Sequence, residues 1–153
     1  NYIFRNDWEE PSYGRDADND VFTKLAKTNN DGTITDYGAT FEDAVISGNG
    51  TYTCSMTTGD MGFGEDTAFH FFRVSTDIPS KLVKEGYVTI SDVTIKIGEG
   101  KTQSGVVVDT SGDWVKLIVE DNYNNIKADG VVLTAPAPNT TTVFTFTVSG
   151  LAE

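Results

Sequence analysis

Hydrophobic and polar residues alternate along much of this chain with a period of two, the repeat of a strand buried on one side. In TYTCSMTTG, Tyr52, Cys54 and Met56 share one face and Thr53, Ser55 and Thr57 the other, so the first set is assigned to a core and the second to water. TTVFTFTVSG puts Phe144, Phe146 and Val148 on one face, and DWVKLIVE does the same with Val115, Leu117 and Val119. GYVTISDVTIKIG alternates through Val88 and Ile90, then through Val93, Ile95 and Ile97. The Ser91-Asp92 pair between them breaks the register, which predicts a bulge or turn. NYIFRN at the start, GVVVDT at 105–110 and the aromatic run AFHFFRVSTDI, ending before Pro79, read as further strands.

The intervals between these segments carry turn chemistry. DWEEPSYGRDADND has no apolar period, so residues 7–20 are expected to form a long loop. VFTKLAKT reads either as one helical turn or as an irregular strand, and NNDGT follows as a turn. Residues 39–47 lead into Gly48-Asn49-Gly50, a hairpin-type turn. GDMGFGED is a Gly-rich connection and TAPAPNTTT a mildly Pro-rich loop. About eight or nine short strands with turns at roughly ten-residue intervals predict an all-β fold, a jelly-roll-like β-sandwich of two antiparallel sheets. One domain over residues 1–153 is expected, since that length buries a core without disulfides or metals.

Composition narrows the partners. The formal charge is −12, from 23 acidic and 11 basic residues spread along the chain, which argues against nucleic acid and against an anionic membrane surface. It also favours a monomer. There is no apolar run long enough to span a bilayer, and the polar opening NYIFRNDWEE lacks the character of a signal peptide. Cys54 is the sole cysteine and is expected to pack as a small apolar residue.

Candidate chemistry centres on aromatics that no core period claims. With Val115, Leu117 and Val119 inward, Trp114 and Lys116 must point the other way. Either a neighbouring loop covers Trp114, or its ring is a platform for a sugar, whose axial C–H face stacks on flat aromatics while edge hydroxyls take hydrogen bonds. Trp8 and Tyr13 fall in the expected loop at 7–20, and Asn122, Tyr123, Asn124 and Asn125 follow the Trp114 strand. These residues are expected either to touch ligand or to pin their loops. In AFHFFRVS, parity puts Phe71 and Arg73 on one face and His70, Phe72 and Val74 on the other; the apolar weight favours Phe71 and Arg73 toward a groove, with the reverse left open.

Catalysis has little support. With 23 acids, some carboxyl pair meets a glycosidase spacing by chance, and none is embedded in the aromatic strands. A single His and no GxSxG motif leave serine-hydrolase chemistry without its parts. No cofactor and no zinc are expected. Asp16, Asp18 and Asp20 alternate like the start of an EF-hand loop, but Val21 and Lys27 occupy the positions of its Gly and bidentate Glu; a structural calcium in another geometry is the alternative to a solvated acidic loop.

NYIFRNDW, GNGTYTCSM, AFHFFRVSTDI and LVKEGYVTISDVTIKIG, in that order, resemble carbohydrate-binding modules attached to secreted glycoside hydrolases of anaerobic gut and rumen bacteria. The likeness covers roughly residues 1–98 and points to families 65, which binds β-glucan and xyloglucan, and 86, which binds xylan. It implies a β-sandwich with the ligand lying across one sheet, and Trp8 matches the loop tryptophan by position. Two tryptophans, with Phe and Tyr where family 65 is richer in Trp, turn the preference to family 86. The expectation is therefore a secreted, non-catalytic module that holds xylan or a related polysaccharide and tethers an attached glycoside hydrolase to it. Its expected binding residues are Trp8, Tyr13, Phe71, Arg73, Trp114, Lys116, Asn122 and Tyr123.

Overall fold

The structure, a computed structural model, describes residues 1–9, 13–15, 25–28, 31, 34–36, 38–60, 69 and 71–151; at 9, 13–15, 25–28 and 34–36 the description is of the backbone. In chain order the elements are β1 (Tyr2–Glu9), β2 (Tyr13–Arg15), β3 (Leu25–Thr28), β4 (Ile34–Asp36), β5 (Thr40–Glu42), β6 (Ala44–Ile46), β7 (Gly50–Thr57), β8 (Phe71–Pro79), helix α1 (Ser80–Lys84), β9 (Thr89–Ile97), β10 (Gln103–Ser104), β11 (Val107–Asp109), β12 (Trp114–Asp121), β13 (Ile126–Lys127) and β14 (Thr141–Ser149). They build a β-sandwich. One sheet has the order β11-β12-β8-β1-β6 with β13 paired to β12; the other runs β10-β9-β14-β7-β5; a small third sheet is β2-β3-β4. The strand pairs of all three are antiparallel.

The core lies between the two larger sheets and is built by the period-two positions read from the sequence. Cys54, Met56, Val115, Leu117, Phe144, Phe146 and Val148 are all buried there, with Tyr52 packed at the margin. Phe4 of β1 stacks on Phe146 of β14 with ring centroids 4.3 Å apart, which ties sheet to sheet. On the same inner face Trp8 lies opposite Phe72 in the β1–β8 ladder and stacks on it at 3.7 Å, with Phe69 edge-on to both rings. Burial pushes the Cys54 thiol well above its ordinary range, with the charge of Asp43 adding to the effect, so it is an inert packing residue.

The predicted irregularity at Ser91-Asp92 is present. Asp92 has φ 51° and the β9–β14 register slips by one residue there, which keeps Val88 and Ile90 inward together with Val93 and Ile95. Three features differ from the sequence reading. First, β1 runs on through Glu9 and the backbone at 13–15 is a strand, so residues 7–20 are not one long loop. Leu25–Thr28, the described part of VFTKLAKT, is likewise a strand. Second, Gly48-Asn49-Gly50 does not close a hairpin: β6 belongs to one sheet and β7 to the other, and the turn hands the chain across, held by the Tyr52 hydroxyl, which donates to the Gly48 carbonyl at 2.7 Å. Third, Ser80–Lys84 forms a short helix, started after Pro79 and ended at Gly86, whose φ is 81°.

Candidate functional site

The face of the six-stranded sheet turned away from the core carries Phe71, Arg73, Trp114 and Lys116, half of the expected binding residues. Register aligns its side chains in rows. Val107, Ile118, Arg73 and Asp7 make one row across β11, β12, β8 and β1, and Asp109, Lys116, Ser75 and Arg5 make the next. Trp114 lies beyond them, paired with Pro79 where the β8–β12 register shifts. Exposure changes along this direction. Asp7 and Ile118 are buried and Arg73 nearly so, the second row is half-buried, and Trp114 is 52% exposed.

The closed end is an ion network. The Arg73 guanidinium spans two carboxylates, with Nε 2.9 Å from Asp7 Oδ2 and Nη1 2.7 Å from Asp121 Oδ2, and lies over the Phe71 ring at 3.9 Å. Ser75 Oγ donates to the same Asp7 oxygen at 2.8 Å. Asp121 in turn accepts from the backbone N–H groups of Tyr123 and Asn124 and, at 2.9 Å, from the Asn124 side-chain amide. Burial by itself raises the Asp121 pKa, but the hydrogen bonds from Asn124 and the charge of Arg73 outweigh it and hold the carboxyl below the usual range. A carboxylate so held accepts hydrogen bonds and does not deliver a proton near neutral pH. Its structural effect is to fix the turn after β12, where Tyr123 stands 61% exposed with its ring 6.1 Å from Phe71, and Asn122 donates to the Phe69 carbonyl at 3.1 Å.

Against this geometry the expected residues divide. Trp114 and Lys116 point away from the core, and the alternative in which a loop covers Trp114 does not hold. Asn122 and Tyr123 are exposed in the turn just past the far end of the same strand, which from Trp114 to Asp121 spans about 23 Å at the rise of an extended chain. Phe71 and Arg73 do face outward, and Phe72 and Val74 inward, which excludes Phe72 as a groove residue. Three of the expected residues are corrected. Trp8 is 1% exposed and stacked in the core, because β1 continues past Asn6 and keeps its even-numbered positions on the inner face; it is no surface platform. Phe71 is 3% exposed, with one ring face under the Arg73 guanidinium, so it offers no surface to a sugar, and Arg73 is committed to Asp7 and Asp121. The backbone of Tyr13 is in β2 and its side chain lies outside the described residues, as do His70 and the acidic positions Asp16, Asp18 and Asp20.

The structure also brings residues to the Trp114 end that the sequence reading passed over. Helix α1 sets Lys81 and Lys84 beside the β11–β12 turn, where the Ser80 N–H donates to the Asp113 carbonyl at 2.9 Å. A Pro before and a Gly after a five-residue segment was the signal for that helix. Tyr87, just after it, is 66% exposed. Among the described residues no group of three or more His, Cys, Asp and Glu side chains is arranged to hold a metal ion. No helix among the described residues is long and apolar enough to cross a membrane, which does not bear on crossing by strands. Comparison with protein-family models, curated proteins and solved structures finds no match.

Proposed function

We propose that this protein is a non-catalytic carbohydrate-binding module that holds a plant cell-wall polysaccharide, xylan by preference, along the outer face of its six-stranded sheet. The observation that carries the reading is Trp114. It is an indole 52% exposed on a sheet face, and the next row along that face is the half-buried polar one of Asp109, Lys116, Ser75 and Arg5. A large apolar ring left in water forfeits burial that a threonine at the same position would not, and a pyranose ring laid against it restores that burial while its hydroxyls meet the polar border. Tyr123 and Asn122 supply a second contact at the far end of β12, a separation that suits an extended chain of several sugars. In this reading affinity is modest, since the surface is open and a flexible glycan loses freedom when it is held. The module acts by raising the local concentration of a tethered glycoside hydrolase at its insoluble substrate outside the cell.

Affinity electrophoresis in gels cast with soluble xylan, glucomannan or β-glucan tests this. Migration is expected to be retarded most by xylan, and Trp114→Ala is expected to weaken that retardation by about tenfold or more, as loss of a central aromatic anchor does. An absence of retardation by every polymer overturns the reading. Release of reducing sugar from xylan replaces it with an enzymatic one.

A further inference from the structure

Immediately before Trp114 in the chain, the β11–β12 turn and helix α1 form a shallow basin of about 240 Å³ lined by Ser80, Lys81, Lys84, Glu85, Gly112 and Asp113. Lys116 reaches the same place: its Nζ lies 3.9 Å from where a Cβ on Gly112 would sit, which puts the ammonium beside the basin wall. Three lysines thus lie around the β11–β12 turn that leads into Trp114, in a chain whose net charge is −12 and which has only 11 basic residues. The carboxylates that face them are Glu85, 3.9 Å from Lys81 in a loose pair, Asp113 in the turn, and Asp109 opposite Lys116 in the β11–β12 ladder. Asp109 accepts from the Ser111 N–H at 3.1 Å, and the Lys81 side chain is 78% exposed, so neither is locked to the other's neighbours. Ser80 is 3% exposed, and its Oγ has no hydrogen-bond partner among the described residues.

We infer that this basin is a subsite for a carboxylate-bearing substituent of the glycan, a uronic-acid branch on a sugar stacked against Trp114. The inference rests on the carbohydrate-binding reading above and makes it more specific. Elsewhere the surface of so acidic a molecule repels an anionic chain; at this point lysines cancel that repulsion and offer charge-assisted hydrogen bonds to a planar carboxylate. Lysine is suited to it because a flexible stem lets each ammonium follow a branch whose position varies along the polymer. Exposed ion pairs are individually weak and screened by salt, so the subsite tunes selection among polymers and does not provide the main affinity.

The test measures binding of the intact protein to glucuronoxylan and to the same polymer after chemical reduction of its carboxyl groups, at about 0.01 M and about 0.5 M salt. The native polymer is expected to bind about fivefold more tightly than the reduced one at low salt, and the preference is expected to vanish at high salt. In the Lys81→Ala/Lys84→Ala double variant, affinity for the native polymer should fall to that for the reduced polymer. Equal affinity for the two polymers in the unaltered protein overturns the subsite while sparing the module reading. A preference that persists in the double variant overturns its assignment to these lysines, and failure to bind either polymer overturns both proposals.

Discussion

The two tryptophans show how much a single side chain's surroundings decide. Trp8 is sealed between Phe72 and Phe69, and Trp114 stands half in water on the other face of the same sheet. Truncating the first removes a large packed ring from a close-packed core, so Trp8→Ala is expected to lower unfolding free energy by about 3–5 kcal/mol. Trp114→Ala has little packing to lose and is expected to stay within about 0.5 kcal/mol of the unaltered protein. Denaturant titrations of the two variants check this, and similar losses in both would mean that Trp114 is a structural residue. A second residue-scale case is Gly150, just past β14, with φ 87°. A Cβ there would collide with the Tyr87 carbonyl, and the backbone angle is itself strained for any other residue. Gly150→Ala is expected to cost more than about 2 kcal/mol, read as a drop in melting temperature.

At the scale of elements, β1, β8 and β12 are joined by the Arg73 network as well as by their ladders. Asp121 has its pKa depressed in the folded state, so its stabilising contribution is fully present above the carboxyl pKa of the unfolded chain, about 3.9. It is lost as pH falls from there through the depressed native value. Stability is therefore expected to fall with acidification below about pH 4, and Asp121→Asn should flatten part of that slope while lowering stability at neutral pH. Urea unfolding from pH 7 down to about pH 2.5 checks both signs. An unchanged slope in the variant would mean that Asp121 exerts no pH-linked hold on the turn carrying Tyr123.

For the whole molecule, the dominant long-range fact is the charge of −12. Self-repulsion among spread carboxylates destabilises a compact state, and salt screens it over about 10 Å at 0.1 M. The melting temperature is accordingly expected to rise between about 0.01 M and about 0.2 M sodium chloride, against the fall expected of a fold held chiefly by surface ion pairs. Differential scanning calorimetry across that range decides between them. The salt dependence expected of the proposed subsite has the opposite sign, because its lysines would attract a carboxylate that the rest of the surface repels.

Period-two alternation was enough to specify strands, their inner faces and the sandwich, because burying one side of a sheet imposes that repeat on every strand that lines it: Cys54 and Met56, Leu117, Phe144 and Phe146 were readable one by one. The bulge at Asp92 was readable for the same reason, as a fault in the repeat. What alternation leaves open is where a strand stops and what lies against its outer side. Trp8 sits among polar residues, and only pairing with β8 extends β1 far enough to turn its ring inward. Phe71 and Trp114 both point outward by parity, yet one is covered and the other bare. Within a strand whose extent is known, alternation sets the direction of each side chain; where the strand stops and which outward residues are covered depended on partners distant in the chain, β8 against β1 for Trp8 and Asp7 and Asp121 holding Arg73 over Phe71, and so belonged to the tertiary structure alone.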